Sequence, residues 1–304
     1  MKSPIAILTS ALAIAPSVAA WGSLGHITTA YIASSFISNT TQAYLQDLLH
    51  SSNDDYLASV ATWADSIRYT RWGRFTSNFH FIDAKDSPPH ECSVDFDRDC
   101  KTGGCILTAL ANYTARATDL SLPLLQRQDA VKFVVHFVGD LHQPLHNEDV
   151  SRGGNGIKVK FNGVNLNLHH VWDSAIAEKW IGVRGKPNGY ALGWAESLVA
   201  EIKEGKFAKQ AAEWLDGLDY SDPVKTGLQW SRECNKLVCS HVLPQGPDAI
   251  AGQELSGDYY QAAGPVIEKQ VAQAGYRMAA WLNYIADDVL AKQTLGGNPS
   301  MGEL

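Results

Sequence analysis

Two histidine–aspartate pairs constrain this chain more than any other feature. His136 and Asp140 are four residues apart in His136-Phe-Val-Gly-Asp140-Leu-His142-Gln-Pro-Leu-His146, and His169 and Asp173 are four apart in Asn167-Leu-His169-His170-Val-Trp-Asp173. Residues at that spacing share one face of a helix. Both pairs sit among apolar residues, where an unpartnered imidazole or carboxylate is costly to bury. The chain must therefore form helices and must also supply something for these groups to meet, and a cation meets both needs. Pro144 ends or kinks the first helix near Gln143, which turns His146 toward a different point from the one His136 addresses. His142 is six positions from His136, off that face, and reads as a supporting or structural residue. His170 reads as a bystander, although spacing alone leaves it open.

Asp65, in Thr-Trp-Ala-Asp65-Ser-Ile, and His80, in Asn-Phe-His80-Phe-Ile, add a carboxylate and an imidazole in apolar surroundings. A carboxylate buried there needs a cation, or its pKa rises. Singly, each such residue is commonplace as a satisfied core group. Together they make a metal constellation. Imidazole and carboxylate without thiolate suit zinc best, then manganese or iron. The ligands exceed one tetrahedral site, so two or three ions are expected. The His-Glu-x-x-His helix of zinc proteases is absent, since His90-Glu91 is followed by Cys92 and does not continue the pattern.

The framework reads as mainly helical, an all-α class with one small hairpin. Ile27, Ala30 and Tyr31 recur at helix spacing with Ser34 on the same face, and Leu57, Val60, Ala61 and Ala64 repeat that pattern before Asp65. Helices are predicted over about 127–141, 173–181, 190–202 and 263–290. Residues 156–167 alternate around Asn162-Gly163, a strong hairpin signal. Residues 82–105, rich in Pro, Asp, Gly and Cys, read as a long loop held by disulfides. No repeat or linker divides the chain, so a single domain is expected over 21–290, with 291–304 as a loose tail.

Residues 1–20 read as a secretory signal: Lys2 at the start, an apolar stretch from Ile5 to Ile14, and a small-residue site at Val18-Ala19-Ala20. Cleavage there makes Trp21 the first residue of Trp21-Gly22-Ser23-Leu24-Gly25-His26. A free α-amine has a pKa of about 7.7–8, which a nearby metal can depress at modest cost. Amine, Trp21 carbonyl and His26 could then share one ion. Nothing after the signal is apolar for long enough to span a bilayer. The net charge of −7 argues against a general basic surface for nucleic acid, but not against an enzyme that handles phosphate through bound cations. Five cysteines in a secreted chain imply disulfides with one thiol left over. Cys100 and Cys105 flank a short glycine-containing loop suited to a local bridge, and Cys92 could then reach the 234–239 region. Sequons at Asn39 and Asn112 mark expected surface glycans.

These residues together resemble the single-strand-specific zinc nucleases of fungi and plants, of the nuclease S-one and P-one type. The shared motifs are Trp-Gly-x-x-Gly-His, Ala-Thr-Trp-Ala-Asp, His-Phe-Ile-Asp, His-x3-Asp-x-His-Gln-Pro-Leu-His, Gly-Gly-Asn-Gly and Asn-Leu-His-x2-Trp-Asp, running from Trp21 to about Asp287. The resemblance implies the helical fold shared by zinc-dependent phospholipases C and these nucleases, carrying three zinc ions. One would take Asp65, His80, His136 and Asp140. A second would take His146, His169 and Asp173. The third would take the Trp21 amine and carbonyl, His26 and the other oxygen of Asp140. It sets His142 and His170 aside as ligands.

The resemblance further implies that Arg68 lies by the scissile phosphate and Asp65 orients the attacking hydroxide. Phe81 would stack on a base, Asp83 would read its edge, and Gly154 and Asn155 would form the opposite wall. It implies disulfides Cys92–Cys239 and Cys100–Cys105, with Cys234 outside the pattern. The expected activity is hydrolysis of single-stranded DNA and RNA to 5′-phosphate products, with 3′-nucleotidase activity, by a secreted monomer that needs no membrane. Two rival readings are a zinc phospholipase C, which shares the three-zinc arrangement, and a secreted zinc-binding protein without catalysis. The Phe81–Asp83 pocket and the missing choline-cage signal favour nucleotides over the first. The excess of carboxylates and Arg68 favour chemistry over the second.

Overall fold

The computed structural model describes residues 21–296. The expected signal segment and the last eight residues of the tail lie outside them. The architecture is helical, with one two-stranded antiparallel sheet among the described residues. The main helices are α1 (Ser23–Ser34), α2 (Asn39–Leu49), α3 (Trp63–Ile67), α4 (Ile106–Thr118), α5 (Leu124–Leu141), α6 (Ile176–Trp180), α7 (Ala191–Lys203), α8 (Pro223–Leu237) and α9 (Asp258–Gly296).

Helix α5 is the axis. From Phe133 onward it is buried on every side, which fits a helix that is apolar all round except for His136 and Asp140. It stops at Leu141 because a residue before proline avoids the helical region. Gln143 is accordingly extended (φ −93°, ψ 120°), and a tight 3₁₀ turn, Pro144–Asn147, re-aims His146.

Two apolar clusters meet along this axis. One is built from α2, α3, α4, α5 and the far half of α9, with Met278, Trp281 and Ile285 at its centre. The other gathers Trp21, the hairpin, the 168–177 segment, α7 and the near half of α9, through Ile267 and Val271. Helix α1 touches both, with Ala30 and Ala33 facing the first and Leu24 and Ile32 the second. The polar residues of interest lie at this seam.

Several expectations are adjusted. The face Ile27, Tyr31, Ser34 of α1 is the half-exposed one, and beyond the exposed first residue, Ser23, the rest of the helix is buried. Its small residues let it sit deep: a Cβ on Gly275 of α9 would lie 2.5 Å from the Ile32 side chain. Residues 57–64 do not form one helix. A 3₁₀ turn, Ala58–Val60, precedes α3, with Thr62 between them at φ −101° and ψ 4°. The break has a use, because the Ala61 carbonyl accepts a hydrogen bond from His136 Nδ1 at 2.7 Å. The helix expected over 173–181 begins earlier, with a turn at Leu168–His170 and a π-helical turn at Val171–Ala175. Helix α9 runs past residue 290, so residues 291–296 are helical and not loose.

The hairpin pairs β1 (Lys158–Phe161) with β2 (Val164–Asn167). Asn162 and Gly163 both have positive φ, 52° and 76°, the combination a two-residue type I′ turn demands. The 82–105 segment is mostly irregular. Disulfides Cys92–Cys239 and Cys100–Cys105 fasten it, and Cys234 is a buried free thiol. Asn39 opens α2 and Asn112 lies within α4, both exposed.

Candidate metal centre

Asp140 is the hub. It is fully buried, and its two oxygens face different partners. Oδ1 lies 3.1 Å from His26 Nε2, while Oδ2 lies 2.9 Å from His80 Nδ1 and 3.3 Å from His136 Nε2. Asp65 Oδ1 completes this part, 3.6 Å from His136 Nε2 and 3.4 Å from Arg68 Nη2. His26 stacks on His136 with ring centroids 3.9 Å apart. The stack is possible because Gly139 has no side chain; a Cβ there would lie 2.8 Å from His26 Nδ1. A second group lies alongside: His146, His169 and Asp173 hold their donor atoms within 4.8 Å of one another.

The imidazoles are oriented from behind. His136 donates from Nδ1 to the Ala61 carbonyl, His146 to that of His80 at 2.7 Å, and His169 to that of Gly153 at 2.6 Å. Each bond fixes the tautomer that leaves Nε2 with a free lone pair, the usual support of a metal-ligating histidine. The Nε2 atoms of His26, His136, His146 and His169 are buried without a hydrogen-bond partner, as is Asp140 Oδ1. So many buried donor atoms without a protein partner in one place mark a cation site. The residues fit zinc.

Without a cation, protonation divides the site: His26, His80 and His169 stay neutral, while His136 takes up a proton that a bound cation would displace. Burial, then His136, lowers the pKa of His26. Burial pushes His80 down to about 4, and burial with His146 pushes His169 down to about 3. Burial also disfavours a charged His136, but Asp140 and Asp65 override it and raise that imidazole to about 10. Burial works against the Asp140 carboxylate too, yet His136 foremost holds it well below its ordinary range. Asp173 is raised far above its ordinary range by burial, despite a hydrogen bond from Gln143. A nearby cation would reverse that last shift.

Trp21 is fully buried beside this cluster. The Gly22 amide donates to the Asp173 carbonyl at 2.8 Å, and a Cβ on Gly22 would lie 2.1 Å from Ser174 Oγ. The Trp21-Gly22 main chain is thus pressed against the second group, five residues before His26.

A cleft of about 620 Å³ opens over the cluster, lined among others by Arg68, Phe81, Asp83, His146, Asn155 and His169. Gly153 lines it, whereas Gly154 (φ 76°) packs behind it against Leu145. Asn155 donates to the Arg152 carbonyl at 2.9 Å, and its Oδ1 is buried without a partner. Lys101, in the Cys100–Cys105 loop, pairs with Asp83. Sequence reasoning missed Lys101 and Arg152 on this cleft, because only the folded loops bring them there.

His142 sits apart. Its Nδ1 bonds the Val138 carbonyl at 2.8 Å, and its Nε2 faces Arg277 Nη1 at 3.2 Å. Both nitrogens are occupied, and it links α5 to α9. His170 is half-buried and joins no donor group among the described residues. A further trio, Asp86, Cys92 and Glu148, is no metal site, because Cys92 is spent in a disulfide.

The profile of the S1/P1 Nuclease family matches residues 21–287, which include every residue of this cluster. The chain belongs to the S1/P1 nuclease family. It is 44% identical over 290 residues to Nuclease S1 of Aspergillus oryzae, covering 94% of this chain and 99% of that one. It is 43% identical over 272 residues to Nuclease P1 of Penicillium citrinum, covering 90% and 100%. Endonuclease 4 of Arabidopsis thaliana is 31% identical over 281 residues, covering 87% and 89%. The S1/P1 assignment makes the protein a nuclease, a hydrolase of phosphoric esters, and the mainly helical fold agrees with it. Among the described residues, no helix of this S1/P1 nuclease is long and apolar enough to cross a membrane.

Proposed function

We propose that this nuclease holds three zinc ions, cleaves single-stranded DNA and RNA to 5′-phosphate products, and removes phosphate from 3′-nucleotides. The observation that carries the reading is Asp140, buried at the seam with one oxygen toward His26 and the other toward His80 and His136. A carboxylate so placed is suited to bridge two ions. One ion would be held by Asp65, His80, His136 and Asp140, another by His146, His169 and Asp173. A third would be held by His26, Asp140 and the main chain of Trp21. Bound there, zinc supplies positive charge and lowers the pKa of the water it contacts to about 7.

The chain's own residues divide the remaining work. Asp65 is 13% exposed, against 0% for Asp140 and 3% for Asp173. It is the most exposed of these three carboxylates, so it is placed to orient the attacking water and take its proton. Arg68, 3.4 Å from Asp65, is placed to neutralise charge growing on the phosphoryl oxygens. Phe81 offers a ring for stacking, Asp83 an acceptor for a base edge, and Gly154 and Asn155 stand in the loop opposite. A duplex base must first leave its stack to enter such a pocket, at a cost of a few kcal/mol, which favours single strands. We read the protein as a secreted monomer made with the 1–20 signal, consistent with its two disulfides, and with glycans at Asn39 and Asn112.

The test is hydrolysis of single-stranded DNA, duplex DNA, a 3′-nucleotide and phosphatidylcholine, each with and without chelator, beside metal analysis. Zinc-dependent turnover of the first and third, with three zincs per chain, is expected. Turnover that survives chelation, or fewer than two zincs, overturns the reading. A preparation beginning at Trp21 should hold one more zinc and act faster than one with an added N-terminal Gly. Identical stoichiometry and rate would remove Trp21 from the site.

A further inference from the structure

Between α3, which carries Asp65, and the 3₁₀ turn Arg74–His80, which delivers His80, the chain reads Arg68-Tyr69-Thr70-Arg71-Trp72-Gly73-Arg74-Phe75. Three arginines alternate with three aromatics in these eight residues, in a protein of net charge −7. Most aromatic side chains of this protein are at least half-buried. Tyr69, Trp72 and Phe75 are 59%, 62% and 67% exposed. Large aromatics clustered in water mark an interaction surface more often than chance.

The segment is also held rigidly. Thr70 Oγ1 donates to the Ile67 carbonyl at 2.7 Å and accepts from the Gly73 amide at 3.0 Å. Thr76 Oγ1 donates to the Gly73 carbonyl at 2.8 Å. Gly73 is buried so close to α3 that a Cβ would lie 2.2 Å from the Ile67 carbonyl oxygen. Phe75 stands edge-on to Phe79, with ring centroids 6.0 Å apart. The turn thus presents Trp72 and Phe75 outward on a fixed base, at little ordering cost on binding. The ridge is continuous with the cleft, since Arg68 and Tyr69 at its start and Ser77 and Asn78 just past its end line that cleft. Arg71 and Arg74 are exposed, and neither has an ion pair among the described residues.

The geometry points to a second strand-binding site on this ridge. Trp72 and Phe75 stack bases of nucleotides beyond the one held in the cleft, and Arg71 and Arg74 pair with the phosphates between them. Aromatic platforms along a cationic track are the general means of holding a single strand without sequence preference, and a duplex keeps its base faces hidden. The occupant is therefore the continuing single strand. The inference rests on the nuclease reading of the cleft and adds a preference for longer single strands over mononucleotides and dinucleotides.

The test uses zinc-loaded enzyme and slowly cleaved phosphorothioate oligonucleotides, dT2 and dT12, with affinity read by fluorescence anisotropy. Trp72→Ala/Phe75→Ala should weaken dT12 by roughly tenfold or more, the size of a lost base–aromatic stack, and leave dT2 unchanged. Trp72→Phe should retain most of the dT12 affinity. Arg71→Ala/Arg74→Ala should flatten the slope of log affinity against log salt by about 1.4, or about 0.7 per lost phosphate contact. Hydrolysis of a 3′-nucleotide should match wild type in every variant. Unchanged dT12 affinity in Trp72→Ala/Phe75→Ala, or equal losses for dT2 and dT12, overturns the ridge. So does a change in oligomeric state without a change in dT12 affinity, which would make the ridge a contact between copies. Failure of the wild type to hydrolyse a 3′-nucleotide would count against the reading of the cleft, while the dT12 comparison would still decide the ridge.

Discussion

His136–Asp140 and His169–Asp173 have the same spacing in sequence and nearly the same separation in space, 3.3 Å and 3.2 Å. Their protonation is opposite. In the protein without metal, the first pair is an imidazolium facing a carboxylate, with His136 raised to about 10 and Asp140 held low. The second is neutral, with His169 lowered to about 3 and Asp173 raised. The cause is the company each keeps. His136 faces two carboxylates, Asp140 and Asp65. Besides Asp173, His169 faces a second imidazole, His146, which disfavours its charge, and Asp173 meets an amide, Gln143. The backbone differs as well, a regular helix for one pair and a π-helical turn for the other. Spacing in a sequence brings groups together, while their neighbours set the charge.

The largest expected effect separates the two aspartates. Asp140→Asn should cost more than one zinc per chain, abolish activity and lower stability by about 3–5 kcal/mol, as for a broken buried ion pair. Asp173→Asn should cost a single zinc. Metal analysis with urea unfolding measures both, and equal losses would end the distinction between hub and side site.

Next comes pH, with the metal chelated. Folded His169 refuses a proton down to about 3, while the unfolded chain accepts one near 6.5. Stability is therefore lost as pH falls from 6.5 toward 3. His136 has the opposite sign: its contribution is complete below 6.5 and is lost as pH rises through about 10. In urea titrations, His169→Gln should soften the acid limb and His136→Gln the alkaline one. The reverse pattern would refute the assigned charge states.

Smaller effects follow from the glycine behind each pair. Gly139→Ala places a methyl 2.8 Å from His26 Nδ1 and should destabilise the holoenzyme by about 1–3 kcal/mol, with zinc loss. Gly153→Ala faces both a φ of 59° and the Leu145 carbonyl oxygen at 2.8 Å, so it should loosen only the His169 site. The smallest effects belong to the non-ligand histidines. His142→Ala should cost about 1–3 kcal/mol by leaving Arg277 short of an acceptor, with zinc content normal. His170→Ala should stay within about 0.5 kcal/mol.

Much of the site was legible because its residues lie in a few tight clusters where helix spacing and Pro144 carry the geometry. The hairpin was legible from Asn162-Gly163 alone. Helices α2, α4 and α8 were not read, although two of them carry local signals. Ser38 caps α2 through the Thr41 amide, and Asp222-Pro223 starts α8 through the Lys225 amide. Helix α1 gave a misleading face, because a helix buried on most sides shows no clean apolar stripe. The break at Thr62 was invisible, since it depends on an Ala61 carbonyl that turns toward His136, 75 positions away. Lys101 could be placed beside Asp83 only by the folded loop. Arg68 was picked out by resemblance, yet the arginines and aromatics after it went unread, because a local run has no address until a fold puts it beside a cleft.

Helix α9 contributes Ile267 and Val271 to one apolar cluster and Met278, Trp281 and Ile285 to the other. It is a strut of 39 residues, about 58 Å long at 1.5 Å per residue. Parting the two halves would mean snapping it. The jaws of this enzyme are therefore set before substrate arrives, and the polynucleotide must do the bending. A strand already supple enough to splay its bases pays least, so selection among nucleic acids becomes a measurement of the substrate's own stiffness against a rigid gauge.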